Sequence, residues 1–430
     1  MLETTRLRSD RDAVVAGLAK RGLGADVVDR TLALDDRRKA AQGELDGLRA
    51  DLKRRSDDIG ALYKSGRADE AHAAKAAVAA LKEDIARAQA ASAEIEAELE
   101  ALLLTIPNVP HADVPAGATP DDNEVVRAAA EPLPVLPEGH RRPHWELAEA
   151  YGLFSLADGV KLTGAGFPVY RGRGARLQRA LVAYFLDRAA AAGYEEVQVP
   201  HLVNADSARG TGQLPDKDGQ MYHCVQDDLY LIPTAEVPIT NLHRGDLLDA
   251  DALPVRLCGY TPCFRREAGS YGAHVRGLNR VHQFDKVELV RVEHPDLSYA
   301  ALDEMVAHVA ALLEELGLPF RVLRLCGGDL GFVSALTYDF EVWSAAQARW
   351  LEVSSVSNFE TYQANRLALR VRDGDGGGKR LAHTLNGSAL ALPRIVAALL
   401  ENGQGPAGIA IPEVLRPYAG FGVIAAGGGG

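Results

Sequence analysis

The sequence predicts an α+β protein in two parts: an N-terminal antiparallel coiled-coil arm and a larger domain built on an antiparallel sheet. Three observations carry this. A Pro-free stretch from about Val27 to Leu104 is rich in Ala, Glu, Leu, Arg and Lys, with apolar residues stepping by three and four. A Pro- and Asp-rich connector then runs to about Pro143. Beyond it, strand-like and helix-like runs are separated by irregular lengths, which disfavours a doubly wound parallel fold. The length of 430 residues suits two domains. The boundary is expected between residues 108 and 109.

Within the first part, Val78, Leu81, Ile85, Ala88, Ser92, Ile95, Leu99 and Leu102 form the seam of one helix. Leu45, Leu48, Leu52, Ile59 and Leu62 repeat the period in an earlier one. Lys64-Ser65-Gly66-Arg67 is a short polar break, so the two helices should fold back as an antiparallel hairpin over about 27–104. Periodicity alone favours a structural reading, a spacer or a dimerisation arm, over a functional one. The first helix is nonetheless enriched in Arg37, Arg38, Lys39, Arg49, Lys53, Arg54 and Arg55, and the second ends acidic at Glu94, Glu96, Glu98 and Glu100. Ile106-Pro107-Asn108-Val109-Pro110 ends the helical region.

A net charge of −12 argues against a general nucleic-acid binder, but a global charge leaves a local basic patch open. Hydrophobic residues at 47% and charged residues at 25% exclude a disordered chain. The charged start and the lack of a long apolar run predict a cytoplasmic protein with no membrane segment. Cys224, Cys258, Cys263 and Cys326 form no Cys-x-x-Cys pair, so free thiols are expected, with His223-Cys224 as the sole metal-like fragment.

Three segments of the second part carry chemistry. Gly174–Ala192 has Leu177, Leu181, Tyr184 and Arg188 on one helical stripe, and Tyr194–Pro200 alternates as a half-buried strand. Packing alone explains that unit. In Thr261-Pro262-Cys263-Phe264-Arg265-Arg266-Glu267, Arg265 and Glu267 should share a strand face, as should Phe284 and Glu288 in His282–Glu288. The loop from Ala268 to Gly277 between them is expected from its composition to be mobile and to offer phosphate donors. A guanidinium, a carboxylate and an aromatic on one hairpin suit ATP, although an Arg-x-Glu by itself reads first as a surface ion pair. In the third segment, Glu352 with a nearby hydroxyl in Trp350–Ser355 suits Mg²⁺. Asn386-Gly387-Ser388 reads as a turn into an apolar helix carrying Arg394, or as a simple helix cap.

Thr234-Ala235-Glu236, Phe264-Arg265-Arg266-Glu267 and His383–Ser388 resemble the serine-binding segment, motif 2 and motif 3 of seryl-tRNA synthetases, which are class II aminoacyl-tRNA synthetases. Gly174–Pro200 resembles motif 1, and the hairpin resembles the family's tRNA-binding arm. Leu162-Thr163-Gly164, Gly210–Pro215 and Ile411–Tyr418 also match, so the resemblance covers nearly the whole chain in order.

The resemblance implies activation of L-serine with ATP and transfer to the 3′ end of tRNA(Ser), with tRNA(Sec) as a further substrate where a host has one. It implies a homodimer through motif 1. Thr234 and Glu236 would hold the α-amino group, with Ala235 between them also in the serine-binding set, and Glu288 and Ser388 would face the hydroxyl. Arg265 would contact the α-phosphate and carboxylate, and Arg394 the terminal phosphates. Glu267 and Phe284 would hold the adenine, and Arg266 would join Glu352, Val353, Ser354 and Ser355 among the ATP-binding residues. Glu352 and Ser355 would bind Mg²⁺, and Lys53, Arg54 and Arg55 would grip tRNA.

Ala389 and Pro393 stand where many relatives have Gly. Strict alternation also puts Glu352 and Ser355 on opposite faces, so a shared metal needs a bulge or a strand end. The rival readings are an amino acid:carrier-protein ligase, which the arm opposes, and an inactive RNA-binding homologue, which Arg265, Glu267, Glu352 and Arg394 oppose.

Overall fold

The computed structural model describes residues 1–268, 275–373 and 377–425. The centre of the Ala268–Gly277 loop and the Gly427–Gly430 tail lie outside the described residues. Two compact units divide the chain: Met1–Ala19 with Leu23–Pro107, and Lys20–Gly22 with Asn108–Gly430.

In the first unit, two short helices, Thr4–Ser9 and Arg11–Ala19, precede α1 (Ala25–Lys64) and α2 (Ala68–Leu103). Good helix formers and the absence of Pro sustain 40 and 36 residues of helix. Gly66 in the connection has φ +76°, a conformation that suits glycine. Leu45, Ala71, Leu81, Ser92 and Leu99 are buried in the seam, with Leu52, Ile59, Val78, Ile85 and Ile95 half-buried at the same period. Ser92, though polar, is only 4% exposed and so belongs to the seam.

The second unit is organised by β1 (Glu124–Arg127), α3 (His144–Tyr151), α4 (Gly172–Ala191), β2 (Glu195–Glu196), α5 (Glu236–Asn241), β3 (Val255–Phe264), β4 (Gln283–Glu293) and α6 (Ser298–Glu315). It continues through β5 (Phe320–Arg324), β6 (Leu336–Ser344), β7 (Arg349–Asn358), α7 (Thr361–Leu367), β8 (His383–Ala391) and α8 (Leu392–Asn402). Among the described residues these strands form an eight-stranded sheet in the order β1-β5-β6-β7-β8-β4-β3-β2. Every neighbouring pair is antiparallel except β2 with β3. The predicted antiparallel α+β class is therefore correct.

Alternation sorts the sheet's two faces. On β4, Val287 and Leu289 enter the main core with Leu177 and Leu181 of α4, Met305 and Val309 of α6, and Ile395 and Val396 of α8. The opposite face carries Phe284 and Lys286 into a large cavity. Tyr184 completes the α4 stripe, Arg188 pairs with Glu315, and Gly193 follows the helix at φ +84°.

Two local expectations are corrected. The strand predicted over Tyr194–Pro200 is paired only at Glu195–Glu196, with Val197 N–H donating to the Cys258 carbonyl at 2.8 Å. Val197 and Val199 alternate because they pack beside Ala235 and Ile239, not because a ladder continues. Asn386-Gly387-Ser388 is no turn but the middle of β8, paired on both sides by β4 and β7. Glycine suits position 387 because a Cβ there would sit 3.2 Å from Met305 and Val356. The helix begins at Leu392, with Pro393 in its first turn where no N–H is needed.

Candidate active site

A cavity of about 880 Å³ lies against the exposed face of the sheet. Thr234, Glu236, Arg265, Glu267, Phe284, Glu352, Val353, Ser354, Ser355, Ser388 and Arg394 line it. These residues come from separate strands and loops, and the antiparallel register brings them together.

One end of the cavity is built on the start of α5. Glu236 is buried, and Gln363 Nε2 donates to its Oε1 at 2.6 Å. Burial pushes its carboxyl up to about 7, with the neighbouring Glu288 charge acting in the same direction. The Gln363 hydrogen bond and the Lys286 and Arg265 charges oppose that rise. Ala235 does not reach the cavity; it is fully buried with Ile239, Leu257 and Val290.

Glu288 departs from its expected place. It shares the Phe284 face, yet it is fully buried and lies under the cavity floor rather than on it. Thr234 Oγ1 donates to it at 3.2 Å and Asn386 Nδ2 at 3.1 Å, and Lys286 forms an ion pair with it. A register shift between Lys286 and Glu288 against β8 accompanies this placement. Ser388, the cross-strand partner of Glu288, does line the cavity.

At the other end, β3 stops at Phe264, so Arg265 and Glu267 do not share a strand face as expected. Glu267 has φ +50° and its carboxylate pairs with Arg280, so a backbone reversal returns it to the cavity. Arg266 points elsewhere: it is exposed, and its N–H donates to the Gln220 carbonyl at 2.9 Å. Arg265 Nε donates to the Pro233 carbonyl at 3.3 Å, and its guanidinium lies 5.2 Å from the Phe284 ring centroid. Arg394 Nη1 donates to the Glu352 carbonyl at 2.7 Å and lies 3.5 Å from the Glu352 carboxylate.

The bulge that Glu352 and Ser355 needed is present. Phe340 faces Ser354 while Glu341 faces Glu352, leaving Val353 as the extra residue, and both Glu352 and Ser355 line the cavity. Asp339, paired across from Ser355, has a buried Oδ1 without a hydrogen-bond partner. Burial and then the Glu352 charge hold its carboxyl well above the usual range. No group of three or more His, Cys, Asp and Glu converges as a metal site among the described residues.

Sequence reasoning missed Lys286, Asn279, Asn386, Gln363 and Asp339. Lys286 and Asn386 had a signal, since each sits two residues from a named position on the same strand face. Gln363 and Asp339 had none, because their partners are distant in sequence. His223 pairs with Asp228 at 2.9 Å and stacks on Tyr230, and all four cysteines are free. No helix among the described residues is long and apolar enough to cross a membrane.

On the arm, Arg54 and Arg55 both engage Asp51, the latter at 2.7 Å, and their side chains remain 73% and 48% exposed. Such surface pairs contribute little, so these cations stay accessible to a stronger anion.

Residues 1–110 match the seryl-tRNA synthetase N-terminal domain family, and residues 222–403 match the class II tRNA synthetase core domain of the G, H, P, S and T enzymes. The chain is 52% identical to a serine–tRNA ligase of Salinibacter ruber, over 99% of this chain and all of that protein. It is 45% identical to the serine–tRNA ligase of Chlorobaculum parvum, over 99% and 100% of the two chains. The structure of Pyrococcus horikoshii seryl-tRNA synthetase complexed with ATP superposes with a TM-score of 0.90 at 32% identity, covering 99% of this chain and 100% of that one. A matching domain at each end and this similarity along the full length establish that the chain belongs to the seryl-tRNA synthetase family, the class II ligases that join serine to tRNA.

Proposed function

We propose that the cavity on the sheet is where L-serine and ATP are joined into seryl-adenylate, before serine passes to the 3′ end of tRNA(Ser). The observation that carries this reading is the convergence of Glu236, Arg265, Phe284, Glu352, Ser388 and Arg394 on one cavity. The Pyrococcus horikoshii structure is a complex with ATP and the Naegleria fowleri one a complex with AMP, the latter 27% identical with a TM-score of 0.86 over 99% of both chains.

Serine's carboxylate is ionised at neutral pH, so its attack on the α-phosphorus needs no general base. A carboxylate oxygen bonds to phosphorus, the bond to the bridging oxygen breaks, and pyrophosphate leaves. Ionised Glu236 receives the ammonium group, with Thr234 beside it. Arg265 neutralises the α-phosphate and carboxylate, and Arg394 the outgoing phosphates. Phe284 and Glu267 hold the adenine. Ser388 meets the hydroxyl, and Glu288 acts on it through Thr234, Lys286 and Asn386. A terminal ribose hydroxyl of tRNA then attacks the seryl carbonyl, releasing AMP.

Glu352 and Ser355 would hold Mg²⁺, with Asp339 behind them; its orphaned oxygen and the small number of protein oxygens suit a cation that keeps phosphate and water ligands. When bound, the ion supplies charge neutralisation to the phosphates. Lys53, Arg54 and Arg55 take the tRNA backbone, α4 and the following segment form a homodimer interface, and the enzyme works in the cytoplasm.

Serine-dependent ATP–pyrophosphate exchange followed by charging of tRNA(Ser) tests the reading. Exchange without charging would favour a carrier-protein ligase, and absence of both an inactive homologue.

A further inference from the structure

A second buried network lies behind the cavity, at the end of α8. The Glu401 carboxylate is fully buried and accepts four donors. They are the His144 backbone N–H at 2.9 Å, His144 Nδ1 at 2.7 Å, Gln347 Nε2 at 2.9 Å and the Ser344 hydroxyl. His144 is equally buried, and its Nε2 accepts the Leu278 N–H at 2.7 Å. An accepting Nε2 places the ring proton on Nδ1, where it donates to Glu401. Gln347 Oε1 in turn accepts Asn279 Nδ2 at 2.9 Å. Leu278 and Asn279 both line the cavity.

The network ends at a functional cation. The Asn279 carbonyl accepts Arg394 Nε at 2.9 Å, leaving Nη1 to meet the Glu352 carbonyl. The approach is close enough to require glycine at position 277, where φ is +71° and a Cβ would lie 2.2 Å from His144 Nε2. Arg394 thus takes its direction from a backbone carbonyl, and that carbonyl's position is set by side chains from α3, the β6–β7 connection and the far end of Arg394's own helix.

We propose that Gln347 and Glu401 are positioning residues for the nucleotide: by fixing the Leu278–Asn279 backbone they aim the Arg394 guanidinium at the ATP phosphates. This rests on the reading of Arg394 as the terminal-phosphate contact. Nothing in the network touches the serine end, so its loss should separate the two substrates.

The test is a double-mutant cycle in the full-length enzyme, read by pyrophosphate exchange. Gln347 is half-buried in a turn, so Gln347→Ala and the isosteric-length Gln347→Met should both fold, as thermal unfolding will show. Each is expected to raise KM for ATP about 3- to 10-fold, the worth of one or two lost hydrogen bonds, with KM for serine unchanged. In an Arg394→Ala background the same substitution should add nothing further. An equal effect in both backgrounds, or a parallel rise in KM for both substrates, would overturn the proposal and leave Gln347 a structural residue. If Arg394→Ala itself leaves ATP kinetics unchanged, the phosphate role of Arg394 fails, a distinct outcome that removes the proposal with it.

Discussion

Gln363 sits between Thr384 and Glu236. Its Oε1 accepts the Thr384 hydroxyl at 2.7 Å, which fixes the amide orientation, and its Nε2 donates to Glu236 Oε1 at 2.6 Å. One oxygen of the glutamate is thereby occupied by the protein, and the carboxyl sits at about 7, where its charge changes across the working range. In the proposed reading, serine's ammonium needs the ionised form. KM for serine should therefore rise about tenfold between pH 8 and pH 6, as the ionised fraction falls from about nine-tenths to about one-tenth. Gln363→Leu removes a donor to the carboxylate, so the midpoint should move to higher pH. A serine KM flat across this range would exclude Glu236 from the ammonium site.

The same group acts oppositely on the free enzyme. Its carboxyl lies above the ordinary 4.5, so between 4.5 and about 7 the folded state keeps a proton that the unfolded state has lost. This contribution to stability is present at low pH and is lost as pH rises through about 7. Glu236→Gln should remove that slope from chemical-denaturation curves measured between pH 5 and 8.

Arg265→Ala should abolish most adenylate formation while leaving the fold intact, because the side chain lies over Phe284 at the cavity wall rather than in the core. Loss of one preorganised donor to developing charge costs at least about 10²-fold in rate. Near-normal pyrophosphate exchange would take Arg265 out of the mechanism.

Glu288→Ala should narrow the preference for serine over alanine, measured as the ratio of kcat/KM values. Its position under the floor adds a second consequence. Lys286, Thr234 and Asn386 lose their common acceptor, and a buried cation left alone costs about 3–5 kcal/mol, visible as a lower Tm. A lower Tm with an unchanged selectivity ratio would make Glu288 structural only.

Deleting Val27–Leu104 should spare serine activation and depress tRNA charging, since every residue proposed for adenylate formation lies beyond Pro200. Replacing Lys53, Arg54 and Arg55 together by Ala should weaken tRNA binding more mildly. It should also flatten the log–log salt dependence by up to about one unit per lost phosphate contact. Normal charging by the deletion variant would return the hairpin to a spacer.

By itself the sequence determined the features whose information is local. The three-and-four steps of Val78–Leu102 specify a helical seam wherever they occur, and they placed Ser92 inside it. The stripe of Leu177, Leu181 and Tyr184 likewise declared its buried face, and the motif segments pointed to Glu352 and Ser388 on their strands and to Arg265 just past the end of one.

Tertiary structure decided everything that depends on register and on partners far along the chain. The end of β3 at Phe264, the reversal at Glu267 and the bulge at Val353 arise from pairing with other strands, and alternation within one strand carries no trace of them. Asn386–Ser388 read as a turn because Gly and Asn favour turns, yet strands on both sides claim that segment as β8. Glu288 was drawn under the floor by three polar groups from three segments, and Glu236 acquired its raised pKa from burial that only the assembled sheet and helices create. Hydrophobic periodicity is a property of neighbours in sequence, whereas desolvation and hydrogen-bond satisfaction are properties of neighbours in space.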